Sequence, residues 1–245
     1  MNNFWLICFT TLLVGGFAFA ADISACGAVT ESSILTAPLT NNTTCLNITA
    51  PNVILDCAGY TITLNVTTNT SYASAIYSDQ ANTTIKNCNI VGPVANNSYG
   101  IKTYSAANST VTNCNVTGFQ YGIWFNRVNM ASLAYSKINR TTISSIGQAP
   151  IFISNSNKVN LSYISAGTTG ANTLPITSSA RGVRITNSNN TYISHSNQTS
   201  ISQDTYWLVT YPAKNLTLYN VTLNTTSNGI YLYGTGTFSI RNSYI

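Results

Sequence analysis

A unit of roughly 22 to 32 residues recurs along most of the chain, and that recurrence limits the fold more than any other feature. It is clearest from Tyr99 to Val116, YGIKTYSAANSTVTNCNV. The unit reads as a Gly-Ile start, a polar turn near an Asn, a β-branched anchor, then a third apolar anchor after a bend. First anchors fall at Ile76, Ile101, Ile123, Ile151, Val183, Val209 and Ile230. Second anchors follow nine or ten residues later at Ile85, Val111, Leu133, Leu161, Ile193, Leu218 and Ile240. Third anchors are Ile90, Val116, Ile138, Leu223 and Ile245, with Ile164 a looser match. Asn recurs after the first anchor at Asn82, Asn108, Asn129, Asn157, Asn189 and Asn215, and Gly precedes it at Gly100, Gly122, Gly182 and Gly229.

Repeats of this size indicate solenoids. A helical solenoid needs amphipathic runs of about ten residues or more, whereas these apolar clusters are short and alternate, as in Ile101/Thr103 and Ile85/Asn87. Three short strands per turn, each stacked on its counterpart in the next turn, predict an all-β, single-stranded parallel β-helix of about seven to eight rungs.

The YGI…N…TVTNCNV units resemble the right-handed parallel β-helix repeats of secreted and cell-surface proteins. The head, CGAVTESSILTAPLTNNTTCLNITAPNVILDCAGYTIT, is similar to the start of many archaeal and bacterial surface proteins. The resemblance covers Cys26 to Ile245 and implies a right-handed β-helix of the pectin-lyase-like superfamily, acting outside the cell. In that family stacked Asn side chains, here Asn87, Asn113 and Asn242, are structural: each amide can donate to and accept from the one a rung away.

Asn3 to Ala20 is an apolar run ending Ala-Phe-Ala, which predicts a signal peptide over residues 1–20; no Lys or Arg stands ahead of it, which leaves an uncleaved anchor as the alternative. No later stretch is apolar enough to span a bilayer. Residues 21–49 lack the repeat and are expected to cap the first rung, with a Cys26–Cys45 disulfide suited to an oxidising compartment. The β-helix then fills residues 50–245. Cys88 and Cys114 share a place in consecutive rungs, either as stacked thiols or as a disulfide, and the partner of Cys57 is left open. Ala166 to Ala180 and Asn197 to Thr205 read as loops leaving the rungs. Nothing after the last anchor resembles a cap, so either the natural chain is longer, the favoured expectation, or another molecule covers the end.

Charged residues make up only 6% of the chain, so Asn, Ser and Thr supply the polar surface, and about sixteen N-x-S/T sequons suit a glycosylated exterior protein. The net charge is +5 without a basic stripe, which argues against nucleic acid. The five acids, Asp22, Glu31, Asp56, Asp79 and Asp204, offer neither a clear carboxylate pair nor a calcium site beside a base. The expectation is therefore that the chain is not an enzyme; a polysaccharide lyase or hydrolase of the superfamily is the alternative. Related periplasmic β-helix proteins assist copper-enzyme maturation, but one His and one mature Met make a poor copper site, and no metal or cofactor is expected. His195, the lone histidine, reads as a solvated bend residue.

The functional candidates form an outward strip. The residues after each first anchor are Tyr77, Lys102, Trp124, Phe152, Arg184, Thr210 and Tyr231. Two places further stand Asp79, Tyr104, Asn126, Ser154, Thr186, Pro212 and Tyr233. Exposed aromatics at rung spacing, mixed with Lys, Arg and Asn, can stack on sugar rings and hydrogen-bond their hydroxyls. Aromatics also favour strands and stack on one another along a ladder. The first reading makes the protein a structural or adhesive surface module whose partners are glycans or other cell-surface proteins; the second makes the strip a scaffold only.

Overall fold

The computed structural model describes residues 20–66, 72–93, 98–128, 136–139, 141–168, 181–200, 206–225, 230–234 and 236–244. No helix occurs among them. The chain winds through three parallel sheets, each strand pairing with its counterpart one coil later. The first sheet runs from Gly27–Val29 through Leu46–Ile48, Ser74–Ser78 and Tyr99–Tyr104 to the second half of Asn115–Asn126 and on to Ile230–Leu232. The second runs from Ala21–Ile23 through Ser33–Leu35, Ile54–Asp56, Thr84–Lys86, Thr110–Thr112, Ser136–Asn139 and Asn157–Ser162 to Phe238–Arg241. The third runs from Leu39–Asn41 through Thr61–Leu64 and Asn89–Val91 to the Thr222/Tyr244 bridge.

The anchors fill the interior. Ile76, Ile101, Ile123 and Ile151 are register partners in consecutive coils and are fully buried. Each such side chain contributes about 1.5–3 kcal/mol relative to an exposed one. Phe119 and Phe125 are the largest fully buried side chains among the described residues. Glycine is needed at the bend: a Cβ on Gly100 would collide with Val116 and with the Gly122 carbonyl oxygen, and would meet Phe119 at 3.3 Å. The Gly of the YGI unit is thus a packing requirement of the bend into the first sheet.

Turns are closed by residues with positive φ, among them Asn52, Asn82, Asn108, Asn87 and Asn113. Asn tolerates this left-handed region better than other side-chain-bearing residues. Its amide then bonds along the helix axis: Asn82 Nδ2 to Asn52 Oδ1 at 2.7 Å, and Asn108 Nδ2 to Asn82 Oδ1 at 3.0 Å. A second ladder runs Asn113 to Asn87 to Asp56.

Several expectations shift. In the later coils Leu208, not Val209, is the partner of Val183 and Ile230. Leu133 lies outside the described residues; Ile138 takes the second-anchor place beside Val111, and Ile143 takes the third beside Val116. The chain between the first and second sheets is longer in this coil, so fixed spacing misassigned both. Residues 166–168 and 197–200, expected in loops, belong to third-sheet strands. Residues 21–49, expected as a cap, already carry strands paired with the next coil. The Cys26–Cys45 disulfide joins neighbouring first-sheet coils there.

The Cys88/Cys114 thiol stack is also corrected. Cys88 is bonded to Cys57, with 4.8 Å between Cα atoms, and among the described residues only Cys114 is a free, buried thiol. The strands here pair Asp56 with Lys86, whereas the disulfide lies one residue out of that register. The turn after Asp56 therefore lets side chains converge that would run side by side within a ladder. The expected signal peptide lies outside the described residues except for Ala20.

Candidate aromatic and cationic face

The register sets the strip on the first sheet. Lys102 pairs with Tyr77 on one side and Trp124 on the other; Phe152 follows Trp124, and Arg184 follows Phe152. All five are half-buried. The two later places differ from expectation, because the shift to Leu208 puts Val209 opposite Arg184 and Tyr211 opposite Thr186, in place of Thr210 and Pro212. Tyr231 stands on the last first-sheet strand, two coils beyond Arg184, and Tyr233 lies just past the end of that strand.

The rings stack on one another. Trp124 lies between Tyr99 and Phe152, with centroids at 5.0 and 5.4 Å. Tyr121 stacks on Tyr99 and Phe152 beside it. Cations close the column: Lys102 Nζ sits 4.9 Å from the centroids of both Tyr99 and Trp124, and the Arg184 guanidinium 4.7 Å from that of Phe152. The indole N–H of Trp124 donates to Ser154 Oγ at 2.8 Å. At the next turn Arg127 lies over the Tyr104 ring and donates to its hydroxyl at 2.8 Å. The faces of Trp124 are therefore covered by its neighbours, and solvent meets ring edges, hydroxyls and cationic groups.

Alternation alone misses Tyr99 and Tyr121, since it puts them on the same side as Ile101 and Ile123. The glycine between takes the inward place against the core, so the tyrosine turns out onto the strip. The repeated Tyr-Gly-Ile triplet was the readable signal.

Electrostatics follow from packing. Burial lowers the Lys102 pKa, because the ammonium loses water between the rings. Burial raises the Tyr77 hydroxyl, with the Asp79 charge adding to it. Asp79 accepts a hydrogen bond from the side chain of its neighbour Gln80. Asp56 is engaged elsewhere, 3.1 Å from Lys86 Nζ and bonded by Asn87 Nδ2 and the Ala58 N–H. The sequence holds no Asp or Glu between Asp79 and Asp204, while eight Lys or Arg lie there. His195, expected as a solvated bend residue without a partner, is an exposed bend residue with two ring partners, Tyr163 and Tyr219. Among the described residues, no group of three or more His, Cys, Asp or Glu could hold a metal ion, and no helix is long and apolar enough to cross a membrane.

The family model for the right-handed β-helix region matches residues 28–174, more than half of the chain. The chain belongs to this family. No curated protein matches it. Among solved structures, this β-helix is similar to tailspike protein 2 from the Escherichia coli O157:H7 bacteriophage CAB120, at 13% identity and a TM-score of 0.54 over 87% of this chain. It is also similar to the enzymatically active domain of a bacteriophage CBA120 tailspike protein 2, at 11% identity and a TM-score of 0.50 over 85% of this chain. In both cases it spans 38% of the other chain's length. A pectin methylesterase in complex with a hexasaccharide matches at 11% identity, 82% of this chain, 73% of that chain and a TM-score of 0.44.

One expectation is overturned here. The shortage of paired acids pointed to a protein that is not an enzyme, yet the structures sharing this fold include an enzymatically active tailspike domain. Counting carboxylates within one chain is not a sufficient ground for excluding catalysis on this architecture, and the non-enzymatic reading does not hold.

Proposed function

We propose that this β-helix works outside the cell and recognises an extended glycan along the first sheet, from Tyr77 to Arg184. The observation that carries the reading is the in-register column of Tyr77, Lys102, Trp124, Phe152 and Arg184. Four coil steps give it a length of about 20 Å. Such a column suits a polymer lying along the helix axis better than a compact ligand.

The stacked rings set the mode of contact. Their faces hold one another, so the polymer meets ring edges and the polar groups around them: the Lys102 ammonium, the Tyr104–Arg127 pair and the Asn126 amide. Lys102, Arg127 and Arg184 outnumber Asp79, which favours a glycan bearing carboxylate or sulfate groups. Two disulfides suit a protein that folds in an oxidising compartment.

A glycan array probed with residues 21–245 tests this, with Trp124→Ala and Tyr104→Ala alongside. The expected result is binding to acidic polymers that weakens as salt is raised and is lost in both variants. Equal binding by wild type and variants, or none to any acidic polymer, would remove the first sheet as the recognition surface.

A further inference from the structure

We propose a second saccharide site on a different edge of the solenoid, built by Tyr163, His195 and Tyr219 for a neutral sugar ring. It lies at the turn leading out of the second sheet, away from the first-sheet column, and does not depend on the reading given above.

The turn column gives the first argument. In other coils this turn is made by Asn87, Asn113, Asn220 and Asn242, all with φ between 49° and 56°. In two consecutive coils the same conformation is held instead by Tyr163, at φ 54°, and His195, at φ 47°. A bulky side chain in this region is an outlier, where Asn is common and His tolerated. Strained conformations of this kind cluster at ligand sites. The ladder's usual residue has been given up at neighbouring positions.

Exposure gives the second argument. A strained ring that filled the core would be compensated by burial, but Tyr163 is 56% exposed and His195 is exposed as well. The two rings stack at 5.0 Å with planes 11° apart, and Tyr219 meets His195 edge-on at 5.4 Å. The result is a rigid aromatic step with a phenol hydroxyl and imidazole nitrogens at its rim. Tyr163 is stacked on His195 through one face and is 56% exposed, so its ring still offers apolar surface beside a hydrogen-bonding rim, which matches a pyranose with its apolar face and rim of hydroxyls. Among the described residues no cation stacks on these rings, in contrast to the first sheet, and this favours an uncharged sugar.

The only histidine of the chain makes the test direct, since its ring proton signals need no assignment. Cellohexaose and mannohexaose are titrated separately into the full chain and the His195 ring signals followed by NMR. A saturable shift with one of them is expected, and its loss in Tyr163→Asn. A polymer held on the first sheet would not move this reporter. Tyr163→Asn and His195→Asn restore the residue used by the other coils, so each should raise the melting temperature, by about 2–4 °C. Absence of a shift with both sugars, or a shift that survives Tyr163→Asn, overturns the site. A fall in melting temperature in both Asn variants overturns it too, because the rings would then be holding the turn.

Discussion

Cys88 is bonded to Cys57 in the coil before it, while Cys114, its counterpart in the coil after it, is a buried free thiol. Burial pushes the Cys114 pKa up to about 11, outweighing hydrogen bonds from the backbone around Cys88 and Thr112 that lower it. Since the thiolate is the reactive form, iodoacetamide at pH 7.5 should leave the folded protein unlabelled. In denaturant without reductant, peptide mapping of residues 21–245 should find the label on Cys114 alone; a label on Cys57 or Cys88 would contradict the pairing. The sign of the stability effect follows. The folded pKa lies above the ordinary thiol value of 9.0, so this contribution is complete below pH 9 and is lost as pH rises through about 11.

Asp56 predicts an effect at the acid end. Burial alone would raise its pKa, but the Ala58 N–H, the Asn87 amide and the Lys86 ammonium together hold it below the ordinary 3.8. A depressed carboxylate stabilises the fold above its unfolded pKa, and that contribution disappears as pH falls through the folded value. Asp56→Asn should cost about 1 kcal/mol at neutral pH, discounted for the partial exposure of the pair. Urea midpoints at pH 7 and pH 2.5 check this: the gap between wild type and variant should close at the lower pH. An equal gap at both would mean that Asp56 acts through shape rather than charge.

The sheets were legible because apolar anchors recur with a period that only stacked short strands satisfy, and register followed wherever turn lengths were constant. It slipped where they were not. The long connection before Ser136 handed the second-anchor place from Leu133 to Ile138, and a single residue moved the register place beside Val183 from Val209 to Leu208. The column from Tyr77 to Arg184 was readable from alternation. Tyr99 was not, because Gly100 breaks the alternation by turning inward, and side-chain parity carries no information about a bend. That the rings face each other rather than solvent was equally hidden, since sequence fixes the position of a ring and not the tilt of its plane. His195 looked solitary because its partners Tyr163 and Tyr219 are neighbours only across coils.

Gly122→Ala should be strongly destabilising. An added Cβ would collide with Ile143 and approach the Pro150 carbonyl oxygen to 2.6 Å, and neither a β-branched core residue nor a backbone carbonyl can yield cheaply. Overpacking of this kind costs about 1–3 kcal/mol. Gly27→Ala is the matched control, because nothing lies within 4 Å of a Cβ there. Thermal melts should show a loss in Gly122→Ala and little change in Gly27→Ala; comparable losses would mean that the bend, not the contact with Ile143, demands glycine.

Trp124 links the fold to the proposed recognition surface, and two substitutions separate its contributions. Trp124→Phe keeps a ring between Tyr99 and Phe152 and a surface for the Lys102 ammonium, but removes the N–H that bonds Ser154 Oγ. Its cost should be about 1 kcal/mol, that of one hydrogen bond. Trp124→Ala removes the ring as well and opens a gap in the column, at a cost of about 3–5 kcal/mol. Lys102→Met leaves the stack intact and removes its cation. If the surface reads acidic groups, Lys102→Met should lose binding to acidic glycans while keeping the urea midpoint close to that of wild type. Trp124→Phe should then keep most of the binding, because the cation is still held above a ring. Loss of binding in Trp124→Phe together with retention in Lys102→Met would show that the indole edge, not the charge, meets the sugar.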